Sequence, residues 1–153
     1  MELINEEPNY NYGGFWIRFV AYLIDSIVLY FAFAILTFAF TGDLFYQSKI
    51  DPTAFGKDYW LLTSSNFILS LLYFVGMESS RFQATLGKQV MGLKVINSEG
   101  GRLSQANALG RYLGKIVSAL ILLIGYIMAG FDAKKQALHD KIAGTYVIQE
   151  SRT

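Results

Sequence analysis

Two opposite charges lie in an otherwise apolar stretch near the start of the chain. The 26 residues from Phe15 to Phe40 include only Arg18 and Asp25 as charged residues. About 20 apolar residues suffice for a membrane-spanning helix, and a charge at its centre costs on the order of 3 kcal/mol. Arg18 is one turn into the helix and can extend to the headgroups. Asp25 lies roughly 15 Å beyond Phe15, about halfway through the ~30 Å hydrocarbon layer. Its carboxylate therefore needs a partner, water or a proton.

The spacing of Arg18 and Asp25 restricts how they can interact. Seven residues make nearly two helical turns, so the two side chains share one face, with Cα atoms about 10.5 Å apart. Helical side chains lean toward the N-terminus, so a direct pair is strained and we expect a third polar group or water beside them. Two interpretations stay open. The charges lock this face against another helix, or they form a site that moves an ion or proton.

Composition limits the class of protein. The chain has 153 residues, 53% hydrophobic and 16% charged, against roughly 25% charged residues in soluble domains. We therefore expect residues 1–153 to form one multi-pass domain with the lipid bilayer as a partner. The net charge of +1 gives no attraction to nucleic acid. With no cysteine and a single histidine, His139, we expect neither a metal site nor a cofactor.

Hydropathy predicts an all-α membrane bundle with three apolar segments, at about 15–40, 59–77 and 112–131. The first two are membrane-spanning helices. The third is short and interrupted by glycines, with Arg111 and Lys115 one turn apart near its start, so it either spans or re-enters the membrane.

The second span has no charge, but its first half is polar. Asn66 and Ser70 either form hydrogen bonds in helix packing or face Asp25 and line a polar cavity.

The connection between the second and third segments predicts a small β-hairpin on the cytoplasmic side, at about 88–104. Residues 90–96 are strand-like, 97–101 form a turn, and 102–103 form a short second strand. Ser104 is a candidate helix cap. Glu78 and Lys88 are a candidate ion pair at the same membrane face. The tail is also strand-like at 145–148.

The distribution of basic residues predicts the topology. The first loop (41–58) contains two Lys or Arg, whereas the second (78–110) and the tail (132–153) contain four each. The positive-inside rule holds best when the N-terminus, second loop and tail are all cytoplasmic, which requires 112–131 to re-enter or form a kinked hairpin. We therefore expect a multi-pass protein of the cell membrane with a cytoplasmic N-terminus.

The order of several spaced motifs resembles the RDD family of small bacterial and archaeal membrane proteins, named for one arginine and two aspartates. The matching motifs are 14–25 (GFWIRFVAYLID), 84–95 (ATLGKQVMGLKV), 111–112 (RY) and 136–145 (QALHDKIAGT). By this resemblance the signature residues are Arg18, Asp25 and Asp140. The family pattern often has proline where this chain has Leu86. The resemblance implies a membrane protein proposed to transport an unidentified ligand, with cation/proton antiport suggested for some members.

Two functional hypotheses follow. In the first, the chain exchanges small monovalent cations for protons: Asp25 binds the cation or proton, Arg18 competes with it, and Asp140 pairs with Arg18, with neutral His139 orienting Asp140. A path through so few helices requires an oligomer, so we expect at least a homodimer. In the second, the Arg/Asp network is structural, and the chain is an adaptor whose basic second loop binds a partner protein. We do not expect the chain to be an enzyme, because its sequence contains no evident nucleophile–base pair or metal cluster.

Overall fold

The computed structural model describes residues 10–51, 56–121 and 124–150. These residues form six α-helices, a short 3-10 helix and two strands. In chain order the elements are α1 (Phe15–Thr41), the 3-10 helix (Tyr46–Lys49), α2 (Lys57–Ser79), α3 (Leu86–Val90), β1 (Leu93–Asn97), α4 (Gln105–Leu120), α5 (Ile124–Phe131), α6 (Leu138–Ala143) and β2 (Thr145–Gln149).

Helices α1 and α2 are the two predicted membrane-spanning segments. They contain 27 and 23 residues, so they extend for about 40 and 35 Å, enough to cross the ~30 Å hydrocarbon layer. Large apolar side chains point outward along both helices, among them Phe31, Ile35, Leu61 and Leu72. Such apolar surfaces are stable in contact with the acyl chains of a bilayer. The all-α membrane fold with two spanning helices is therefore confirmed.

The third apolar segment is a bent pair of helices. α4 and α5 differ in direction by 103°, so the bend lies between Leu120 and Ile124. Two glycines allow close packing at this pair: a Cβ at Gly114 would press on His139 of α6, and one at Gly125 would overlap Ser118 of α4. α5 also packs against α1, with Gly130 beside Phe15. This geometry fits the predicted kinked or re-entrant segment.

A small antiparallel sheet is present, but its partner strand differs from the predicted hairpin. β1 pairs with β2 in the tail, with Val95 opposite Val147, and residues 102–103 form no strand. The predicted turn after β1 is present, since the amide of Gly100 donates to the Asn97 carbonyl at 3.1 Å. The predicted two-stranded antiparallel element is therefore confirmed, but its second strand is β2 and not residues 102–103, because β2 pairs with all five residues of β1 and a two-residue strand cannot.

The sheet gathers three distant parts of the chain. The amide of Gly13 donates to the carbonyl of Val147 at 2.9 Å, so the N-terminal arm joins β2. The side of the sheet that faces the helices is buried with Ala21 of α1 and Ala108 of α4. Ser104 caps α4 as predicted, accepting from the Asn107 amide at 3.1 Å. The N-terminal arm, second loop and tail therefore meet at one end of the bundle, here called the sheet end.

Candidate functional site: buried charges at the sheet end

Two buried carboxylates are joined by one arginine. Arg111 of α4 donates from Nε to Glu78 Oε2 at 2.8 Å and from Nη1 to Asp140 Oδ1. The same Nη1 also donates to Thr145 Oγ1 at 2.5 Å. Glu78 ends α2, Asp140 lies in α6 and Thr145 begins β2, so Arg111 ties four elements together. Its side chain is fully buried, so its charge is stable only with these partners.

Asp140 also binds Arg18, the pair that the sequence analysis expected. Arg18 Nη1 contacts Asp140 Oδ2, Nη2 donates to the carbonyl of Lys135 at 2.6 Å, and Nε donates to the carbonyl of Gly13 at 2.7 Å. Burial alone would raise the pKa of Asp140, but Arg111 and Arg18 outweigh it and hold the pKa below its ordinary value. Asp140 therefore stays ionised, and Arg18 is fixed to the tail.

His139 lies beside this carboxylate. Its Nε2 is 3.5 Å from Asp140 Oδ1, and its ring packs on Tyr126 with ring centres 5.2 Å apart. Burial holds the pKa of His139 well below its ordinary value, although Asp140 acts in the opposite direction. The ring is therefore neutral at pH 7 and helps to position Asp140 without adding a charge.

Glu78 forms ion pairs with two lysines in addition to Arg111. Lys88 Nζ of α3 lies 2.6 Å from Glu78 Oε1, and Lys115 Nζ of α4 lies 3.1 Å from the same oxygen. The candidate pair of Glu78 and Lys88 is thus present in the fold. Burial lowers the pKa of Lys88 to about 8, because pairing with Glu78 offsets the loss of water only in part.

This charge network has more cations than anions. Arg18, Lys88, Arg111 and Lys115 share the two carboxylates of Glu78 and Asp140, which leaves two positive charges in excess. Donors are also in excess, since one buried nitrogen, Arg111 Nη2, has no hydrogen-bond partner among the described residues. The network is therefore a positively charged region where the second loop meets the membrane helices.

Asp25 lies apart from this network and has neutral partners. Its Oδ1 accepts from the hydroxyl of Tyr73 and the amide of Gly87, both at 2.7 Å, and its Oδ2 accepts from the hydroxyl of Thr85 at 2.6 Å. Asp25 is 1% exposed. Within residues 10–51, 56–121 and 124–150 it forms no ion pair, so the charged network does not balance its charge.

α3 is built to reach Asp25. Thr85 caps this short helix and its side chain accepts from the Lys88 amide, so the hydroxyl and the Gly87 amide face α1 together. A Cβ at Gly87 would overlap the backbone carbonyl of Ala21, so only glycine permits this approach. The sequence predicted a polar group beside Arg18 and Asp25. In the structure the two residues have separate partners: Arg18 binds Asp140 and two carbonyl groups, and Asp25 binds two hydroxyls and an amide.

The structure does not bring Asn66 and Ser70 to Asp25. The hydroxyl of Ser70 lies 2.8 Å from that of Tyr112, and Asn66 and Ser70 both line a cavity between the helices. Of the two alternatives, the one in which either residue faces Asp25 does not occur, because Tyr73, one turn further along α2, takes that place. Ser70 forms the hydrogen bonds in helix packing of the other alternative, and both residues also line the cavity.

Sequence reasoning did not identify Arg111, Tyr73 and Thr85 as site residues. One signal was available for Arg111, which lies four residues before Lys115 on a helix with apolar neighbours, so both side chains share a face. No group of three metal-ligating side chains occurs in the described ranges.

Comparison with known proteins identifies relatives along nearly the whole chain. A family model described as "RDD family" matches residues 12–144. The uncharacterized protein YxaI of Bacillus subtilis is 36% identical over 150 residues, 89% of this chain and 96% of YxaI. The uncharacterized membrane protein YteJ of the same organism is 33% identical, covering 91% of this chain and 82% of YteJ. No solved structure matches the chain.

Proposed function

Since the chain belongs to the RDD family, we propose that this membrane protein exchanges small monovalent cations for protons, with Asp25 as the carboxylate that binds both. The observation that carries the proposal is the neutrality of the partners of Asp25. Glu78 and Asp140 are each held by two or more basic groups, whereas Asp25 is held by two hydroxyls and one amide.

A buried carboxylate with neutral partners favours the arrival of a positive charge. Desolvation of the charged carboxylate is costly, and a proton or a bound cation removes that cost. The hydroxyls of Tyr73 and Thr85 are acceptors as well as donors, so they can turn oxygen lone pairs toward a cation on Asp25. Three oxygen-bearing side chains thus meet at one point beside α1.

Arg18 has a different role in this proposal from the one expected at first. It does not compete at Asp25, because Asp140 and two carbonyl groups hold it. Arg18 and Asp140 instead fix α1 to the tail, and the Glu78–Lys88 pair fixes α2 to α3. These contacts keep α3, and with it Thr85 and Gly87, against Asp25.

Two further parts of the proposal concern assembly and orientation. One copy has too few spanning helices to enclose a path, so we propose that at least two copies assemble in the cell membrane. We also propose that the sheet end faces the cytoplasm, because the second loop and tail contain four basic residues each and the first loop two. Mass measurement of the protein–detergent complex tests the assembly, and a single copy would contradict it.

Ion flux in proteoliposomes tests the exchange. Vesicles that contain the protein and a pH-sensitive dye receive Na⁺, Li⁺ or K⁺ outside. The expected result is cation-driven proton movement that disappears in Asp25→Asn. Asp43→Asn is the matched control, because Asp43 pairs with Lys49 in the first loop, away from the site, and this variant should retain flux. Equal flux in Asp25→Asn would overturn the role of Asp25.

The second candidate function is a non-transporting adaptor. Its support is that Asp25 is 1% exposed and accepts three hydrogen bonds, as expected of a permanent structural contact. In that case the basic second loop is the surface that binds a partner protein. Absence of flux with all three cations, from protein that elutes as one folded species, favours the adaptor. A pull-down with the wild-type chain is then the next experiment.

A further inference from the structure

A cavity of about 450 Å³ lies between the membrane helices, separate from Asp25. Residues of α1, α2, α4 and α5 line it. Its polar lining consists of four tyrosines, two serines, Asn66 and Lys115, with no acidic side chain among the described residues that line it. The hydroxyls of Ser26, Ser70 and Tyr126 already donate to backbone carbonyls within the protein. The main donor that the lining offers to a ligand is therefore the ammonium group of Lys115, which suits an acceptor-rich ligand.

Lys115 is the charged group of this lining. Its Nζ lies 3.1 Å from Glu78 Oε1 and 4.3 Å from the ring centre of Phe74. An ammonium group has three N–H donors, and in the described part of the chain Lys115 uses one of them on Glu78. Glu78 is itself shared with Lys88 and Arg111, so it does not neutralise Lys115. The cavity therefore attracts an anion and disfavours a free cation.

The other residues that line the cavity favour an amphiphilic ligand over a small soluble ion. Leu29, Phe33 and Ile116 provide apolar surface. At the rim, Tyr22 and Tyr30 are more than half exposed on a membrane-spanning helix. An opening on this surface is reached from the bilayer. The volume is within the ~300–1,000 Å³ range of ligand sites, enough for a headgroup with the start of its chains.

We propose that this cavity binds an anionic phospholipid, with Lys115 contacting the phosphate and the apolar wall contacting an acyl chain. Basic pockets between membrane helices are suited to such headgroups. The bound lipid would lie against α1, α2 and α4 and would connect the charged network to the bilayer. This proposal is independent of ion exchange at Asp25, which lies outside the lining.

Lipid retention by the full-length protein tests the proposal. The protein is purified in a non-ionic detergent and mixed with phosphatidylglycerol or phosphatidylcholine of the same acyl chains, and native mass spectrometry counts the bound lipids. Wild type should retain phosphatidylglycerol preferentially. Lys115→Met should lower that retention about fivefold, which is the contribution expected of one basic residue near a phosphate.

Two further variants separate lost binding from lost folding. Ser26→Leu fills the cavity without touching the ion pairs, and it should also lower phosphatidylglycerol retention. Lys94→Met removes a lysine that pairs with Glu150 outside the cavity, and it should behave as wild type. Equal retention of the two lipids, or wild-type retention in both Lys115→Met and Ser26→Leu, would overturn the proposal. Displacement of phosphatidylglycerol by an equal concentration of inorganic phosphate would also overturn it.

Discussion

Arg111 is the residue on which the sheet end depends most. It contacts both Glu78 and Asp140, and all three side chains are at most 1% exposed. Without Arg111, Glu78 keeps its two lysines and Asp140 keeps Arg18. Both buried carboxylates nevertheless lose a charge-assisted hydrogen bond, and the link between them is lost.

Arg111→Met should therefore lower the free energy of unfolding by about 3–5 kcal/mol. Denaturation of the detergent-solubilised protein measures this change. Arg81→Met is the control, because Arg81 is exposed and lies over the Phe82 ring, and it should change stability by less than about 1 kcal/mol. Equal effects of the two variants would mean that buried Arg111 contributes no more to the free energy of unfolding than exposed Arg81 does.

His139 makes stability depend on pH in a defined window. Its folded pKa lies well below the ordinary value of 6.5, so between pH 6.5 and 5 the unfolded chain binds a proton that the folded chain does not. Stability should fall on acidification, by up to about 2 kcal/mol over that interval. In His139→Gln this part of the slope should disappear. A wild-type slope that persists in His139→Gln would show that another group is responsible.

At the scale of elements, the contact between α3 and α1 depends on a glycine. Gly87 approaches the backbone of Ala21 so closely that a Cβ would overlap its carbonyl, while the Gly87 amide donates to Asp25. Thr85 adds its hydroxyl from the N-terminus of the same helix. One short helix thus completes the surroundings of the intramembrane carboxylate.

Gly87→Ala should push α3 away from α1 and destabilise the protein by about 1–3 kcal/mol. Gly110→Ala is the matched control, because Gly110 is inside α4 with nothing within 4 Å of an added Cβ. It should raise stability by up to about 1 kcal/mol, since alanine favours the helix. Thermal unfolding of both variants checks the difference, and a stable Gly87→Ala variant would contradict the close packing.

At the scale of the whole molecule, the sheet determines which segments share a side of the membrane. β1 follows α2 and pairs with β2 in the tail, and the N-terminal arm bonds to β2. The second loop, the tail and the N-terminal arm therefore lie on one side, and the first loop lies at the other end of α1 and α2. The bend between α4 and α5 permits this arrangement.

Cysteine labelling tests this topology, since the chain contains no native cysteine. Ser98→Cys in the second loop and Gln149→Cys in β2 should be labelled from the same side by a membrane-impermeant maleimide. Lys49→Cys in the first loop should be labelled from the opposite side. Labelling of Ser98→Cys and Gln149→Cys from opposite sides of intact cells would contradict the sheet and a returning third segment.

Features that depend on local pattern could be predicted from the amino-acid sequence alone. Hydropathy predicted the spanning segments at 15–40 and 59–77, which match α1 and α2 within a few residues. The glycines of 112–131 indicated an interrupted third segment, and Ser104 was predicted as a helix cap. These features arise from neighbours along the chain, where the period and polarity of a single segment decide the outcome.

Which charged side chains meet depends on the packing of distant elements. Arg18 and Asp140 are 122 residues apart, and Arg111 and Glu78 are 33 apart. The sequence placed Arg18 and Asp25 on one helical face, but packing gave them different partners, because α6 came to Arg18 and α3 came to Asp25. The partner of β1 was likewise in the tail. Such pairings depend on how helices and strands fold back on one another, which no local pattern contains.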